Sequence, residues 1–197
     1  MAKRLRFDRR VLLILAAGAL AYGGGLSAPF VFDDRGTIID NHTIEDLGSR
    51  AVLSAPHETP TAGRPVANVS FALNYAFGGR DVRGYHAVNI AIHLLCGAVI
   101  FGIVRRAQPS ANSALAIAAI WTLHPLNSEA VNYVTQRTES LMALFYLLTL
   151  YCAVRAHQSK AARGRWEVAA ITACALGMGS KEAMATAPVA EIGRAHV

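Results

Sequence analysis

The chain has 197 residues, of which 53% are apolar and only 16% charged, and its mean hydropathy is positive at +0.32. This composition is that of a membrane protein. The net charge of +6 does not indicate a nucleic-acid partner. The basic residues stand in short runs between apolar segments and form no aromatic-rich basic surface.

Apolar segments set the predicted fold. A helix needs about 20 apolar residues to cross about 30 Å of hydrocarbon. We therefore predict an all-α fold, a polytopic helical membrane bundle with spans at residues 11–26, 86–104, 113–134, 140–156 and 166–178. The third span is interrupted by His124-Pro125, so it must continue past the proline or stay shielded inside the bundle. The fifth span is short.

The acidic pair Asp33 and Asp34 lies shortly after the first span, in the long polar segment 27–85. Charge inside a bilayer costs about 2.5–3.5 kcal/mol per residue, and a pair just past a span stands where a lipid-borne substrate presents its head group. The pattern of residues 43–53 is compatible with a helix, and three prolines interrupt the chain after it. We predict one or two short interfacial helices in this segment. The interrupting prolines are Pro56, Pro60 and Pro65.

Basic residues predict the orientation of the bundle. They lie before span one, after span two and after span four, which are alternate loops, as the positive-inside rule requires. The amino terminus is then cytoplasmic, and segment 27–85 faces outward from a plasma (inner) membrane, with residues 126–139 and the end of the chain. The basic residues are Lys3, Arg4, Arg6, Arg9, Arg10, Arg105, Arg106, Arg155, Lys160, Arg163 and Arg165.

A polar stripe marks the second span. His86, Asn89 and His93, at i, i+3 and i+7, share one face of an otherwise apolar helix. Such a stripe faces the bundle interior or a wet cavity. It serves either as hydrogen-bonding contact between helices or as part of a site, and both interpretations stay open here. The spacing is not that of a usual ligand pair and no acidic third ligand is adjacent, so no metal site is predicted.

Further polar residues stand between spans three and four and after span five. Thr138 is suited to cap a helix whose first turn carries Glu139. Arg137 is unusual at an outer boundary, because positive charge favours the other side, and it could hold a phosphate. Lys181, beside Glu182, repeats this theme. The chain has no Walker loop, no dinucleotide fingerprint and no nucleophile elbow.

The last residues have an unusual sequence. Residues 192–197 read Ile-Gly-Arg-Ala-His-Val, and one back-translation of this run matches a common sequencing adapter. We expect residues 191–197 to be an artefact without structural meaning.

Short motifs occur along the chain in a characteristic order. They are Phe30-Val-Phe-Asp33-Asp34, Gly63-Arg64-Pro65-Val66, Ser70-Phe-Ala-Leu-Asn74-Tyr75, the stripe with its flanks from Gly84 to Leu95, His124-Pro125 with Glu129, Arg137 with Glu139, and Ser180-Lys181-Glu182. No single motif is specific. The ordered set, which covers about residues 30–189, resembles the transmembrane-and-tetratricopeptide-repeat O-mannosyltransferases and their bacterial relatives.

The resemblance implies a GT-C membrane glycosyltransferase, which takes a sugar from a polyprenyl or dolichyl phosphate on the outer face. Residues 1–190 are then the amino-terminal part of a GT-C-like transmembrane domain. The resemblance also implies later repeats with a period of about 34 residues, which this chain does not show.

The resemblance further implies that the acidic pair of the first outer loop is catalytic. Asp33 and Asp34 are therefore the candidate catalytic residues, with Asp34 favoured as the base. The candidate substrate-binding residues are Arg64, His86, Asn89, His93, His124, Glu129, Arg137, Glu139, Lys181 and Glu182.

The chemistry of sugar transfer suits these residue types. A positioned carboxylate that removes the proton of an acceptor hydroxyl accelerates transfer by about 10²–10⁴-fold. A cation lowers the barrier by stabilising the departing lipid phosphate, and Arg64, Arg137 and Lys181 are candidates. Direct displacement inverts the anomeric carbon. We expect as partners the bilayer, a polyprenyl-phosphate-linked sugar such as mannose, and an acceptor, with protein Ser/Thr favoured over a glycan or a lipid. No cofactor is expected, and the use of a divalent metal stays open.

Two alternatives remain at the level of the sequence. A transporter or channel fragment would use the polar stripe as a relay or translocation path, and would be expected to show repeat-related halves. A non-enzymatic membrane anchor for a repeat protein would tolerate the loss of both aspartates.

Overall fold

The structure is a computed structural model that describes residues 8–108 and 110–187, and within these ranges it contains only helices and turns. The all-α prediction is thus confirmed. The predicted artefact at residues 191–197 lies outside the described residues, as do the first three basic residues. The α-helices of the described part are α1 (Arg10–Tyr22), α2 (Pro65–Gly78), α3 (Val82–Ala107), α4 (Ala111–Leu123), α5 (Ser128–Asn132), α6 (Arg137–Gln158) and α7 (Arg163–Met178).

Helix α3 is the centre of the bundle. Its 26 residues correspond to about 39 Å, which is enough to cross a bilayer. It packs against α1, α4 and α6, and α6 in turn packs closely against α7. Apolar side chains fill these contacts, for example in the cluster of Ile14, Phe101, Ala114 and Ala118 between α1, α3 and α4.

Gly97 allows three helices to approach closely. A Cβ atom at this position on α3 would collide with Thr122 Oγ1 on α4 and would lie 3.5 Å from Ile14 Cγ2 on α1. Small residues at such crossings are a common basis of helix packing in membranes. We expect Gly97→Val to lower the free energy of unfolding in detergent by about 1–3 kcal/mol through overpacking. The control is Gly164→Val on α7, where an added Cβ meets nothing within 4 Å; an equal loss in both variants would contradict the packing argument.

One end of the bundle collects the basic ends of the helices. Arg105, near the end of α3, pairs with Asp8, just before α1, at 3.7 Å. Arg106 donates to the Tyr151 hydroxyl at 3.1 Å and to Gln158 Oε1 at 3.5 Å on α6. The start of α1 and the ends of α3 and α6 therefore share one end of the bundle. This grouping agrees with the predicted orientation, whose cytoplasmic assignment stays a prediction.

Within the described residues, three helical stretches are long and apolar enough to cross a membrane: Arg10–Ser27, Val82–Ala107 and Val134–Gln158. They coincide with predicted spans one, two and four. Helix α7 contains the predicted fifth span and has 16 residues, about 24 Å. These three stretches identify a membrane protein, while the number of crossings stays a prediction.

The third predicted span is not one continuous helix. Helix α4 ends at Leu123 after 13 residues, about 20 Å. His124 is extended, with φ −65° and ψ 128°, because a residue before proline is driven out of the α region and Pro125 has no N–H to continue the helix. The chain then passes through the turn Pro125–Asn127, α5 and the turn Val134–Gln136. Of the two alternatives given for this span, a helix that continues past the proline is therefore wrong.

Segment 27–85 contains a helix that the sequence pattern did not reveal. Helix α2 has 14 residues and starts at Pro65. Pro65 is expected from the sequence to interrupt the chain, but proline is well suited to the first position of a helix, where its missing N–H would have no partner. The helical pattern at residues 43–53 forms only two 3₁₀ turns, His42–Ile44 and Arg50–Leu53.

Two buried asparagines fasten these turns to α2. Asn41 Nδ2 donates to Asn68 Oδ1 at 2.9 Å and to the Thr37 carbonyl at 3.1 Å. Asn68 Nδ2 donates to the Thr43 hydroxyl and to the Val52 carbonyl, both at 2.9 Å. Both asparagines are fully buried. A buried, satisfied amide network rigidifies its surroundings, so segment 27–85 forms a fixed layer over one end of the bundle.

Candidate active site

The carboxylate of Asp34 is buried and fully engaged. Its Oδ1 accepts from the backbone N–H of Thr135 at 2.8 Å and from the Thr135 hydroxyl at 2.7 Å. Its Oδ2 accepts from the N–H of Val31 at 3.1 Å. Only 1% of Asp34 is exposed. Charge-assisted hydrogen bonds are stronger than neutral ones. Asp34 therefore ties residues 31–34, called the acidic loop below, to the turn that precedes α6.

The neighbouring Asp33 is exposed. Its backbone N–H donates to the hydroxyl oxygen of Tyr133 at 3.0 Å. The residue before it, Phe32, has a φ of 45°, which is strained for a bulky side chain. The Phe32 ring is 88% exposed and lies edge-on to the Tyr133 ring, with 6.3 Å between centroids. The loop therefore presents Asp33 to the outside next to two aromatic rings.

These positions change the assignment within the acidic pair, in which the sequence favours Asp34 as the base. A general base must reach its proton directly, at about 2.6–3.2 Å, or through one water. The oxygens of Asp34 are occupied and shielded, whereas Asp33 is open to solvent. Asp33 is therefore the carboxylate of the pair that an outside group can reach, whereas Asp34 anchors the loop.

Arg137 is completely buried, and in the described part of the chain its hydrogen-bond acceptors are all neutral. The guanidinium joins α6 to α2 and α3. Because it has no exposed surface, this placement does not favour the phosphate contact expected from the sequence. The acceptors are Asn89 Oδ1 (2.7 Å), Asn74 Oδ1 (2.6 Å) and the carbonyls of Tyr85 (2.8 Å) and Ser70 (3.2 Å).

Two members of the polar stripe connect helices and loops. His93 Nε2–H donates to the Thr122 carbonyl at 2.8 Å, and the His93 ring stacks on Trp121 with 4.8 Å between centroids. Asn89 accepts from Arg137 and its Nδ2 donates to the Tyr133 carbonyl at 3.3 Å. These contacts favour the interpretation of the stripe as hydrogen-bonding contact between elements. They give no support to a relay through the second span.

The third member, His86, lies beneath the acidic loop. Its Nε2–H donates to the Ala28 carbonyl at 3.0 Å. Its Nδ1 is buried and has no hydrogen-bond partner among the described residues. His86 thus fastens the start of segment 27–85 to α3, on the side of the loop opposite to solvent.

Four charged residues form two ion pairs where α2, α6 and the end of α7 meet. Arg64 donates to Glu182 Oε1 at 3.1 Å, and Lys181 pairs with Glu139. Local backbone hydrogen bonding first, and then the charge of Arg64, lower the pKa of Glu182, so this carboxylate is ionised at neutral pH. Arg64 and Lys181 are partly exposed. They are better placed than Arg137 to meet an anionic group.

His124 lies directly after α4 and Glu129 lies near the start of α5. Both residues are exposed. His124 Nδ1 accepts from the N–H of Leu126 at 3.2 Å and caps a turn. Glu129 is on α5, and its carbonyl accepts from the N–H of Tyr133 at 3.0 Å. In the described part of the chain, no three His, Cys, Asp or Glu side chains come together as a metal-binding group. The use of a metal stays open.

The start of α6 connects the acidic loop with the exposed cations. Thr135 binds Asp34, and Glu139 binds Lys181. Thr135 lies in the turn just before α6 and Glu139 lies in the first turn of α6. Both contacts are therefore made at the start of α6. Arg64 joins this group through Glu182.

Tyr133 and Thr135 are site residues that were not predicted from the sequence. Burial raises the pKa of Tyr133, and the Asp33 carboxylate raises it further through a hydrogen bond and its charge, while the bond from the Asp33 backbone acts in the opposite direction. The phenol is therefore neutral at physiological pH. The sequence indicated these residues only indirectly, through their position where predicted span three ends and before span four begins.

Comparison with known proteins identifies the family. The family model described as dolichyl-phosphate-mannose-protein mannosyltransferase matches residues 60–194, which is more than half of the chain. The chain belongs to this family. The resemblance noted from the ordered motifs is thereby confirmed.

Several curated relatives carry the name protein O-mannosyl-transferase. Tmtc1 of Drosophila melanogaster is 32% identical over 154 residues, which cover 72% of this chain and 18% of the relative. F38B6.6 of Caenorhabditis elegans is 28% identical over 75% of this chain and 23% of the relative. The protein tmtc2 of Xenopus laevis is 30% identical over 72% of this chain and 18% of the relative. The chain thus spans about a fifth of the length of these relatives. No solved structure matches it.

Proposed function

We propose that this chain forms the acceptor-activating part of a membrane mannosyltransferase that uses a polyprenyl-phosphate sugar as donor and a hydroxyl, chiefly of protein Ser/Thr, as acceptor. The observation that carries the proposal is the exposed Asp33 carboxylate on a loop fixed by the buried Asp34. Membership of the mannosyltransferase family supports the choice of sugar and reaction. The names of the relatives support a protein acceptor.

The transfer step is derived from the position of Asp33. The oxygen of the acceptor hydroxyl attacks the anomeric carbon and forms the new C–O bond. The bond between that carbon and the phosphate oxygen breaks, and its electron pair stays on the lipid phosphate. Asp33 takes the hydroxyl proton and later gives it to solvent. A positioned carboxylate makes the hydroxyl a better nucleophile in the transition state. Attack opposite to the leaving phosphate inverts the anomeric carbon.

The leaving phosphate gains negative charge as the bond breaks, so a cation nearby lowers the barrier. Arg64 and Lys181 are the candidates that the geometry favours, because both are partly exposed and lie near the acidic loop along the start of α6. The phosphate would either replace Glu182 and Glu139 as the partner of these cations, or the two glutamates would orient the cations toward it. Arg137 acts from below by holding α6, α2 and α3 together.

The site is proposed to lie on the outer face of a plasma (inner) membrane. The basic helix ends gather at the opposite end of the bundle, which under the positive-inside rule is the cytoplasmic end. A lipid-linked donor would then present its sugar and phosphate at the level of Asp33 and Lys181. Residues 1–190 would form the first part of the transmembrane domain of the transferase.

The test is a transfer assay with the natural gene product in proteoliposomes. Mannose labelled on polyprenyl phosphate is supplied with a peptide rich in Ser and Thr, and a parallel reaction receives labelled nucleotide-linked mannose. We expect label in the peptide only from the lipid-linked donor, with inverted configuration. Label transferred from the nucleotide donor alone, or retained configuration, would contradict the proposed reaction.

A further inference from the structure

The acidic loop is held from below by a chain of contacts that ends at Tyr133. Arg137 Nε–H donates to Asn89, and the Asn89 amide donates to the backbone carbonyl of Tyr133. The side chain of Tyr133 then turns toward the loop, where its hydroxyl oxygen accepts from the backbone N–H of Asp33 at 3.0 Å. The buried Arg137 and the exposed Asp33 are thus linked through two intermediate residues.

Tyr133 contacts the two residues that set the position of the Asp33 carboxylate. Its hydroxyl oxygen accepts from the backbone N–H of Asp33 itself. The phenol ring packs edge-on against Phe32, the residue whose φ of 45° aims the loop outward. Backbone strain of this kind persists only where the surroundings hold it. Thr135, two residues on, holds the other side of the loop through Asp34.

We infer that Tyr133 is a positioning residue for Asp33, which fixes the direction of the carboxylate so that it meets the acceptor hydroxyl. This inference rests on the proposed function. Its physical basis is that misplacement of a reacting group by about 1 Å can lower the rate by about 10²-fold. The hydrogen bond from the Asp33 backbone and the ring contact with Phe32 fix the part of the loop from which the carboxylate projects.

The test is Tyr133→Phe in the natural gene product, assayed in proteoliposomes with labelled mannosyl polyprenyl phosphate and a Ser/Thr peptide. Phenylalanine keeps the edge-on contact with Phe32 and removes the hydrogen bond to the Asp33 backbone. We expect kcat to fall by about 10–100-fold, with little change in the KM for the lipid donor and with normal amounts of protein in the membrane. The matched control is Tyr146→Phe on α6, which should keep the kcat of the parent.

Three outcomes overturn the inference. A parental kcat in Tyr133→Phe shows that the hydrogen bond of Tyr133 does not position Asp33. A raised KM for the donor at unchanged kcat assigns Tyr133 to substrate binding. The third outcome is that neither Tyr133→Phe nor Phe32→Gly accumulates in the membrane. Phe32→Gly removes the same ring contact but tolerates the positive φ, so loss of both proteins shows a purely structural role.

An Asp33→Asn variant in the same assay separates this inference from the proposed function. Full transfer by Asp33→Asn removes Asp33 as the base, and with it the reason for positioning it. Loss of transfer in Asp33→Asn with a parental kcat in Tyr133→Phe contradicts only the role of Tyr133.

Discussion

Replacing Asp33 with asparagine is expected to lower sugar transfer by about 10²–10⁴-fold, because the amide keeps the size of the side chain but cannot take the proton of the acceptor hydroxyl. The loop itself should survive the change, since Asp33 is exposed and its contact to Tyr133 through the backbone N–H is unaffected. The measurement is the initial rate of mannosyl transfer at equal amounts of protein in the membrane.

The matched control is Asp46→Asn, which alters another exposed carboxylate of segment 27–85. Its Oδ1 accepts from the nearby N–H of Gly48, and an asparagine oxygen can do the same. Asp46→Asn should therefore keep the transfer rate. Asp34→Asn should behave differently from both, because it weakens the bonds to Thr135 and Val31 and so reduces the amount of folded protein. Equal rates for Asp33→Asn and Asp46→Asn would remove Asp33 from the mechanism.

Replacing Arg137 with alanine is expected to lower the free energy of unfolding by about 2–4 kcal/mol. Four hydrogen bonds from a charged donor are lost, each worth about 1.5–3 kcal/mol, and the saved cost of burying the guanidinium offsets part of this loss. The buried amide oxygen of Asn89 and the partly buried amide oxygen of Asn74 are left without this donor. The measurement is chemical denaturation in detergent micelles, followed by circular dichroism.

Two further variants sharpen this test. Arg137→Lys keeps the charge but lacks the planar fork that reaches α2 and α3 at once, so we expect it to recover only a small part of the loss. Arg165→Ala changes an exposed arginine on α7 and should alter the free energy of unfolding by less than about 0.5 kcal/mol. A stable Arg137→Ala protein that has lost donor binding would instead return Arg137 to the role of phosphate ligand.

The long helices could be predicted from the sequence because their physics is local. Continuous apolar runs must be helical in a membrane, and α1, α3 and α6 could be placed from length and composition alone. Helix α2 could not be placed in this way. It begins at a proline and is stabilised by Asn68, whose partners lie 16 to 27 residues earlier in the chain. Contacts of this range leave no periodic signal.

The candidate site was predictable as a set of residue types but not as an arrangement. The two aspartates are adjacent in the sequence, and only the fold buries Asp34 on Thr135 and exposes Asp33. In the same way, the sequence places Arg137 and Lys181 alike, as cations at the outer membrane boundary. Packing against α2 and α3 encloses the first and leaves the second at the surface. Burial is a property of tertiary contacts, so a single sequence does not carry it.

The exposed carboxylate next to Tyr133 is the group that we expect to meet the acceptor. A structure of the natural gene product with a bound polyprenyl-phosphate sugar and an acceptor peptide tests this most directly. We predict the acceptor hydroxyl within about 2.6–3.2 Å of Asp33, or one water away, and its oxygen about 3–3.5 Å from the anomeric carbon. A sugar bound where Asp33 cannot reach the acceptor, even through one water, would contradict this role of Asp33.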